Sequence, residues 1–508
     1  MKRKYMPVHK VINLTIYHKL KNNLAICGLF LVMTSLILLS GCNKTLDTLP
    51  DNRAELSSPD KVSQLLITAY PDRDYITFCE SMSDNMADRG YATTYNDPLT
   101  NDNPFRYLDY ASTSEGSSDE YWLSCYRAIA AANQALQACN KAANPADYSA
   151  QKGEALVARA YAHFMLVTLF AKTYDPATAA SDPGVPYVLE PENTLYKKYE
   201  RKTVAYVYDM IDKDLSAGIP LINDNAYKQP AYRFNIAAAQ TFASRFYLFY
   251  QKYDKVIEHA GQALPANFVP YLRAWNTTYS SISSAEIGAL YTKSTEKANL
   301  LLTTTAAIWG FGWQTFRYGL NANLQKQIYS TPNVTGGAWA DKAGSYGTSG
   351  QMMGIQKWHM NFVYITTKIG NYYMYIPLVT AEEAVFNKAE AYVMQGNFAN
   401  AITLLNTYLS TRITGYDASK HNLSIDKVNT FYKTSDTKQA LINTILDFKR
   451  VEYMQEGMRW FDILRYHIPV VHIDENKKEF DLTANDLRRV LQIPQTAQTS
   501  GGLAANPR

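Results

Sequence analysis

Apolar residues recur at spacings of three and four along much of the chain, which is the period of an amphipathic α-helix. The pattern predicts helices over residues 121–139, 153–174, 204–215, 236–250, 253–264, 381–395 and 398–409. The third of these is expected to end before Gly218 and Pro220, since both residue types interrupt helices. The sequence therefore predicts a mainly α-helical fold with little strand.

Two of the predicted helix pairs share an order of residues. In residues 236–264 and 381–409, small residues precede a turn, and an aromatic residue, Tyr253 or Phe398, begins the second helix. This order resembles the tetratricopeptide pattern, in which small residues let two antiparallel helices approach closely. We therefore expect tetratricopeptide-like helix pairs to form the scaffold of the protein.

The segment between these pairs, residues 266–375, has a different composition. It is rich in Gly, Thr, Ser and Asn and holds five of the seven tryptophans of the chain. A long irregular segment inside a helical scaffold more often carries function than stability. We predict an irregular, ligand-binding insertion here, between an N-terminal helical part at 42–265 and a C-terminal helical part at 376–508.

Residues 1–41 have the pattern of a bacterial export signal. Basic residues precede an apolar stretch of 16 residues, Leu24 to Leu39, which is short for a membrane-spanning helix. The sequence Leu39-Ser40-Gly41-Cys42 resembles the lipobox, where bacterial lipoproteins are cut and acylated on cysteine. We predict that Cys42 is the first mature residue and that its acyl chains, palmitate among them, tether the protein to a membrane.

Removal of the signal changes the charge of the protein. The whole chain has 50 basic and 46 acidic residues, but six of the basic residues lie in the signal, which leaves 44 against 46. A global basic surface for nucleic acid is thereby excluded. The remaining cysteines, Cys79, Cys125 and Cys139, are odd in number and without CxxC spacing, so we expect buried free thiols.

Signatures of catalysis and metal binding are absent from the sequence. It has no HExxH, no GxSxG, no phosphate loop, no EF-hand loop and no Cys/His metal spacing. We therefore predict a protein without catalytic residues, metal or cofactor. A glycoside hydrolase stays an alternative, because its two carboxylates need not be close in sequence.

Charged residues alternate in sign at helical spacings near the C-terminus. They are Arg450, Glu452, Glu456, Arg459, Asp462 and Arg465. Arginine forks hold carboxylates with two parallel hydrogen bonds, so we interpret this block as a packing network and not as a ligand site. Trp122 and Trp460, which lie in helical patterns, are predicted to be core residues.

Several segments together resemble the SusD/RagB family of bacterial outer-membrane nutrient-binding lipoproteins. These segments are Trp122–Asn133, Glu154–Phe170, Glu382–Asn397, Glu456–Arg465 and Leu491–Pro494. The resemblance implies a non-catalytic protein exposed on the cell surface and anchored by lipid to the outer membrane. It also implies a partner, a TonB-dependent transporter of the SusC type, which the tetratricopeptide-like helices would face and which the protein would close as a lid.

Aromatic residues concentrate in two loop-rich stretches, 91–110 and 275–358, and the resemblance implies that loops of both regions form the ligand surface. Aromatic faces with polar neighbours suit sugar rings and also peptides. The candidate ligand-binding residues are Tyr91, Tyr95, Asn96, Tyr107, Trp275, Trp309, Trp313, Tyr318 and Trp339. A glycan is the expected ligand; a peptide, as in RagB-type relatives, and a scaffold without a small ligand are alternatives.

Overall fold

The computed structural model describes residues 56–90, 98–192, 197–306, 308–330, 332–341, 343–346 and 350–508. The predicted signal peptide, the lipidation site Cys42 and the candidate ligand residues Tyr91, Tyr95 and Asn96 lie outside these residues. From Leu56 to Arg508 the chain forms one compact unit.

The described chain is mainly α-helical, as predicted. Its helices are α1 (Pro59–Leu66), α2 (Ile76–Met82), α3 (Asn103–Phe105), α4 (Ser118–Lys141), α5 (Ser149–Phe170), α6 (Val204–Gly218), α7 (Ile236–Phe249), α8 (Tyr253–Ala263), α9 (Ser284–Tyr291), α10 (Ile308–Gly312), α11 (Ala322–Gln325), α12 (Ala381–Met394), α13 (Phe398–Leu409), α14 (Ala418–His421), α15 (Ile425–Tyr432), α16 (Thr437–Glu452), α17 (Met458–Arg465) and α18 (Gln495–Thr499). None of the helices in the described part of the chain combines the length and the apolar character that a membrane span requires.

The long helices pack as a continuous scaffold. Helix α5 lies between α4 and α6, α7 pairs with α8, and α12 pairs with α13. Helix α12 also packs against both α7 and α8, so the two tetratricopeptide-like pairs are neighbours in space. The insertion between them thus leaves and rejoins the scaffold at adjacent helices.

The helices begin at side chains that satisfy free backbone amides. Ser117 caps α4, Asn235 caps α7 and Thr380 caps α12, each accepting from an amide three residues on. One helix end was predicted wrongly, because α6 continues through Gly218. A Cβ atom at Gly218 would lie 2.8 Å from Leu156 Cβ, so this glycine permits close packing on α5 and does not end the helix.

The insertion contains more regular structure than its composition predicts. The strands of the described chain are β1 (Ala87–Asp88), β2 (Asn299–Thr305), β3 (Tyr318–Gly319), β4 (Gly344–Tyr346), β5 (Met352–Gly354), β6 (Met360–Tyr364), β7 (Gly370–Thr380), β8 (Val470–Ile473) and β9 (Glu479–Leu482). Strands β2, β7 and β6 form a three-stranded antiparallel sheet in that order. Strand β7 runs directly into α12, so the sheet is fixed to the scaffold.

Buried ion pairs join the insertion to the C-terminal helices. Arg273 Nη1 lies 2.9 Å from Glu382 Oε2, and Arg412 lies 2.9 Å from Glu382 and 2.7 Å from Glu452. The side chains of all four are at most 1% exposed. Such pairs are costly to break, because a lone buried charge has no water to replace its partner.

The charged block near the C-terminus is a packing network, as predicted. Arg459 pairs with Asp84 at 2.8 Å, and Arg465 pairs with Glu390 at 2.7 Å. Trp122 and Trp460 are buried, and Cys79, Cys125 and Cys139 are buried free thiols. These sequence interpretations are therefore confirmed.

Asp341 is a buried carboxyl group that should make stability depend on pH. Its Oδ1 atom has no hydrogen-bond partner, and burial, with a smaller contribution from the nearby carboxylate of Glu452, raises its pKa to about 7. Because this pKa is raised in the folded state, its contribution to stability is complete below about pH 4 and is lost as the pH rises through 7. Asp341→Asn removes this ionisation and should be more stable than the native protein by about 2 kcal/mol at pH 8.

The measurement is urea denaturation at pH 4, 6 and 8. The difference between Asp341→Asn and the native protein should grow as the pH rises. The matched control is Asp481→Asn at an exposed site, which should change the free energy of unfolding little. A constant difference for Asp341→Asn would contradict the assignment.

Candidate functional site

The structure buries every candidate aromatic residue that it describes. Tyr107, Trp275, Trp309, Trp313, Tyr318 and Trp339 are 0–7% exposed. The expectation that these rings face solvent is therefore wrong. Loops lack the backbone pairing of helices and sheets, and large buried rings supply the apolar contact that holds these loops in place.

Individual contacts show this anchoring role. The ring of Tyr318 stacks on Phe105 with centroids 3.8 Å apart, and Trp339 meets Phe448 edge to face at 5.4 Å. Trp313 packs over Gly354, where a Cβ atom would lie 2.0 Å from the indole ring. These rings belong to the core that joins loops to helices.

The two loop-rich stretches nevertheless meet in space. Asn101 Nδ2 donates to the carbonyl oxygen of Tyr318, and the amide of Tyr318 donates to Asn101 Oδ1, both at 3.0 Å. Strand β1 pairs with β3 next to these bonds. The sequence thus identified two stretches that pack together, but through their interior faces.

A cleft of about 520 Å³ opens on one face of the three-stranded sheet, between the sheet, helix α9 and Tyr232. Its main lining side chains are Tyr232, Glu286, Lys293, His359, Asn361 and Tyr375. The sequence analysis selected none of them. The dense tyrosines at 372, 373 and 375 were the signal available in the sequence.

Strand register places the aromatic and polar groups on this face. Asn361 lies opposite Tyr373, and Thr304 lies opposite Tyr375. Opposed residues of antiparallel strands share a face, and residues two apart do so as well. The face of the sheet that lines the cleft therefore combines amide, hydroxyl and phenol groups.

Two partly exposed rings form the apolar part of the cleft. The centroids of Tyr232 and Tyr375 lie 5.6 Å apart, and their planes are tilted by 53°. Tyr232 ends a short turn, Pro230–Tyr232, that packs against β2. Partial burial raises the pKa of Tyr232, so its hydroxyl is a neutral hydrogen-bond donor at physiological pH.

The cleft contains a hydrogen-bond donor, the amide of Asn361, and an acceptor, the carboxylate of Glu286. Asn361 Nδ2 is buried and has no hydrogen-bond partner within the protein, and an amide left unpaired costs stability unless a ligand or water completes it. Glu286 closes a capping box with Ser283, whose hydroxyl and amide hold the pKa of the carboxyl below its usual value. Among the described residues, no group of acidic, histidine or cysteine side chains could hold a metal ion.

The opposite face of the β6–β7 hairpin also carries exposed rings. Phe362 lies 4.7 Å from both Tyr364 and Tyr372, measured between ring centroids. These side chains are 37–68% exposed, and Lys368 is the one charged residue between positions 360 and 380. The hairpin therefore exposes apolar surface next to the cleft.

Two protein-family models match the chain. One, described as starch-binding and associating with the outer membrane, matches residues 44–248, and one described as the SusD family matches residues 270–500. Together they span more than four fifths of the sequence. No curated protein matches the chain.

Solved structures share the fold at low sequence identity. A SusD superfamily protein from Bacteroides thetaiotaomicron VPI-5482 is 20% identical, with a TM-score of 0.67 over 89% of this chain and 100% of that one. A putative sugar-binding protein from Bacteroides vulgatus ATCC 8482 is 19% identical, with a TM-score of 0.68 over 90% and 99%. A laminarin-binding SusD-like protein is 16% identical, with a TM-score of 0.57 over 89% and 99%.

Proposed function

The chain belongs to the SusD/RagB family, and from this premise we propose that it binds a glycan in the sheet cleft and passes it to a SusC-type TonB-dependent transporter. The protein makes and breaks no bond in this process. It is held at the cell surface by acyl chains on Cys42 in the outer membrane, with its tetratricopeptide-like helices toward the transporter.

The observation that carries the proposal is the tilted pair of Tyr232 and Tyr375 beside the unpaired amide of Asn361. The C–H faces of sugar rings pack on aromatic rings, and amide donors bind sugar hydroxyl oxygens. Among similar structures, the sugar-binding and laminarin-binding proteins named above support a glycan as the ligand class.

The carboxylates of the cleft support binding over hydrolysis. Glycoside cleavage uses two carboxyl groups on either side of the scissile bond. Glu286 is the single carboxylate among the described residues that line the cleft, and it is engaged with Ser283. The described lining of the cleft therefore suits binding of a glycan and lacks the second carboxyl group that hydrolysis needs.

A peptide is the second candidate ligand, and one observation favours it. Strand β6 is an edge strand of its sheet, and Asn361, which it carries, lines the cleft. An extended peptide could add to this edge through backbone hydrogen bonds. Binding experiments should therefore include peptides beside glycans.

Replacing Tyr375 with alanine should weaken glycan binding about 30-fold, because it removes one of two rings that a sugar would stack on. The matched control is Tyr372→Ala, three positions earlier and on the opposite face of the same strand, which should keep native affinity. Affinity is measured by calorimetry on purified mature protein, after retardation in gels that contain single glycans has selected a ligand.

Three results would contradict the proposal. Shorter products after incubation with glycans would identify a hydrolase. Binding of peptides without binding of glycans would move the ligand class to the RagB type. Equal losses from Tyr375→Ala and Tyr372→Ala would remove the cleft as the site.

A further inference from the structure

A second and larger cavity, of about 710 Å³, lies at one end of the helical scaffold. It is enclosed by the segment after α5, the turn between α7 and α8, the end of α17, and residues 484–490. None of its lining residues lines the sheet cleft. The two sites are therefore built from separate parts of the chain.

Three partly exposed tyrosine rings line this cavity. Tyr174 is held by edge and tilted contacts to Tyr250 and Tyr208, at 4.9 and 4.8 Å. Tyr466 donates from its hydroxyl to Glu390 Oε1, and Tyr253 begins α8 beside them. The rings of Tyr174 and Tyr466 are held by these contacts, so a ligand would lose little free energy in ordering them.

The charged groups of the cavity are largely balanced within the protein. Arg465 forms a two-pronged pair with Glu390 at 2.7 and 3.0 Å. Lys172 Nζ lies 2.6 Å from Asp182 Oδ1, and Arg489 donates to backbone carbonyl groups. The lining has three basic and four acidic side chains, so its net charge is small, which favours an uncharged ligand over an ionic one.

Some polar groups inside the cavity and at its rim are still free to form hydrogen bonds with a ligand. Arg465 Nε and Asp182 Oδ2 are buried without hydrogen-bond partners. At the rim, Gln251 and His467 are non-glycine residues in the left-handed region, with φ of 60° and 50°. Both residues follow the end of a helix, where the amide of the next residue, Lys252 or Ile468, donates to a carbonyl oxygen five residues earlier, so the backbone that carries these two side chains is fixed.

We propose that this cavity is a second saccharide-binding site, which takes an uncharged oligosaccharide of a few rings. The tyrosines supply stacking faces, and Gln251, Asn485 and His467 supply hydrogen bonds at the mouth. The ligand class rests on the function proposed above; the location does not, because it follows from a different set of residues.

Stoichiometry tests the proposal directly. Maltoheptaose and laminarihexaose serve as probes, and calorimetry on the mature protein should give two sites per chain for the bound probe. Asn485→Trp fills the mouth of the cavity and should leave one site, and Tyr375→Ala should leave the other. Asn476→Trp, at the exposed tip of the β8–β9 hairpin, is the matched control and should keep both.

A second variant, Tyr253→Ala, keeps the test valid if Asn485→Trp does not fold, as judged by circular dichroism. One site in the native protein, abolished by Tyr375→Ala and untouched by both cavity variants, would overturn the second site and leave the proposed function standing. Binding lost in the cavity variants alone would overturn the cleft and leave the second site standing. No binding of either probe, or of the glycan selected by gel retardation, would overturn both.

Discussion

Replacing Arg412 with methionine should lower the free energy of unfolding by about 3–5 kcal/mol. Arg412 donates to Glu382 and Glu452 and to the carbonyl oxygen of Arg273, and its side chain is fully buried. The variant keeps the volume but leaves Glu452 in the core without its main counterion. Glu382 keeps only Arg273.

The pH dependence of the stability of Arg412→Met shows whether the variant is destabilised by the lost charge or by altered packing. Burial raises the pKa of Glu452, but the charge and hydrogen bonds of Arg412 outweigh burial and hold it at about 2. A depressed pKa contributes stability above about pH 4, which is lost as the pH falls toward 2. The deficit of Arg412→Met should therefore shrink as the pH falls below neutral, because buried carboxyl groups without a counterion protonate above their usual pKa. It should shrink further below pH 4, where the native protein loses the contribution of Glu452.

Urea denaturation followed by circular dichroism measures this effect. The matched control is Arg508→Met, which breaks an exposed two-pronged pair with Asp109 and should cost less than about 1 kcal/mol. Equal losses in the two variants, or a deficit for Arg412→Met that is independent of pH, would contradict the role given to the buried network.

The helical scaffold could be predicted because its signal is local. Apolar spacing within about 15 residues determines each helix, and the turn before Tyr253 or Phe398 is visible in the sequence. The sheet was missed because β2 pairs with β7 about 70 residues later, and no local window contains both strands. The threonines of β2 and the tyrosines of β7 favour strands, but this propensity does not indicate which strand pairs with which.

The site could be predicted only as a region. Composition shows that aromatic residues are dense between 275 and 358, within the insertion at 266–375, but does not show which rings face solvent. Strand register decides this for Tyr375, because a shift of one residue would turn it to the other face. Trp309 and Trp313 lie in the core, because burying their large apolar rings stabilises the fold more than exposing them would.

Arg89 should be the residue on which the order of the insertion depends most. Its guanidinium donates to the carbonyl oxygens of Trp313 at 2.7 Å, Leu320 at 3.0 Å and Met353 at 2.9 Å. Gly319 leaves room for it, since a Cβ atom there would lie 2.2 Å from Arg89 Cζ. Burial lowers its pKa to about 9, so it is still a cation at pH 7 and hydrogen-bonds strongly.

Arg89→Met should lower the free energy of unfolding by about 3 kcal/mol or more, because four carbonyl groups, those of Trp313, Phe316, Leu320 and Met353, lose a donor at once. The loss should be local: hydrogen exchange should rise in residues 313–320 and 352–354, while helices α7 and α8 stay protected. Arg89→Lys should recover only part of this protection, because one ammonium cannot reproduce the planar fork.

Arg201→Met is the matched control, since Arg201 donates to the carbonyl groups of Gly184 and Ala504 outside the insertion. Unchanged exchange in residues 313–320 of Arg89→Met would show that the buried rings, and not this cation, hold the insertion in place.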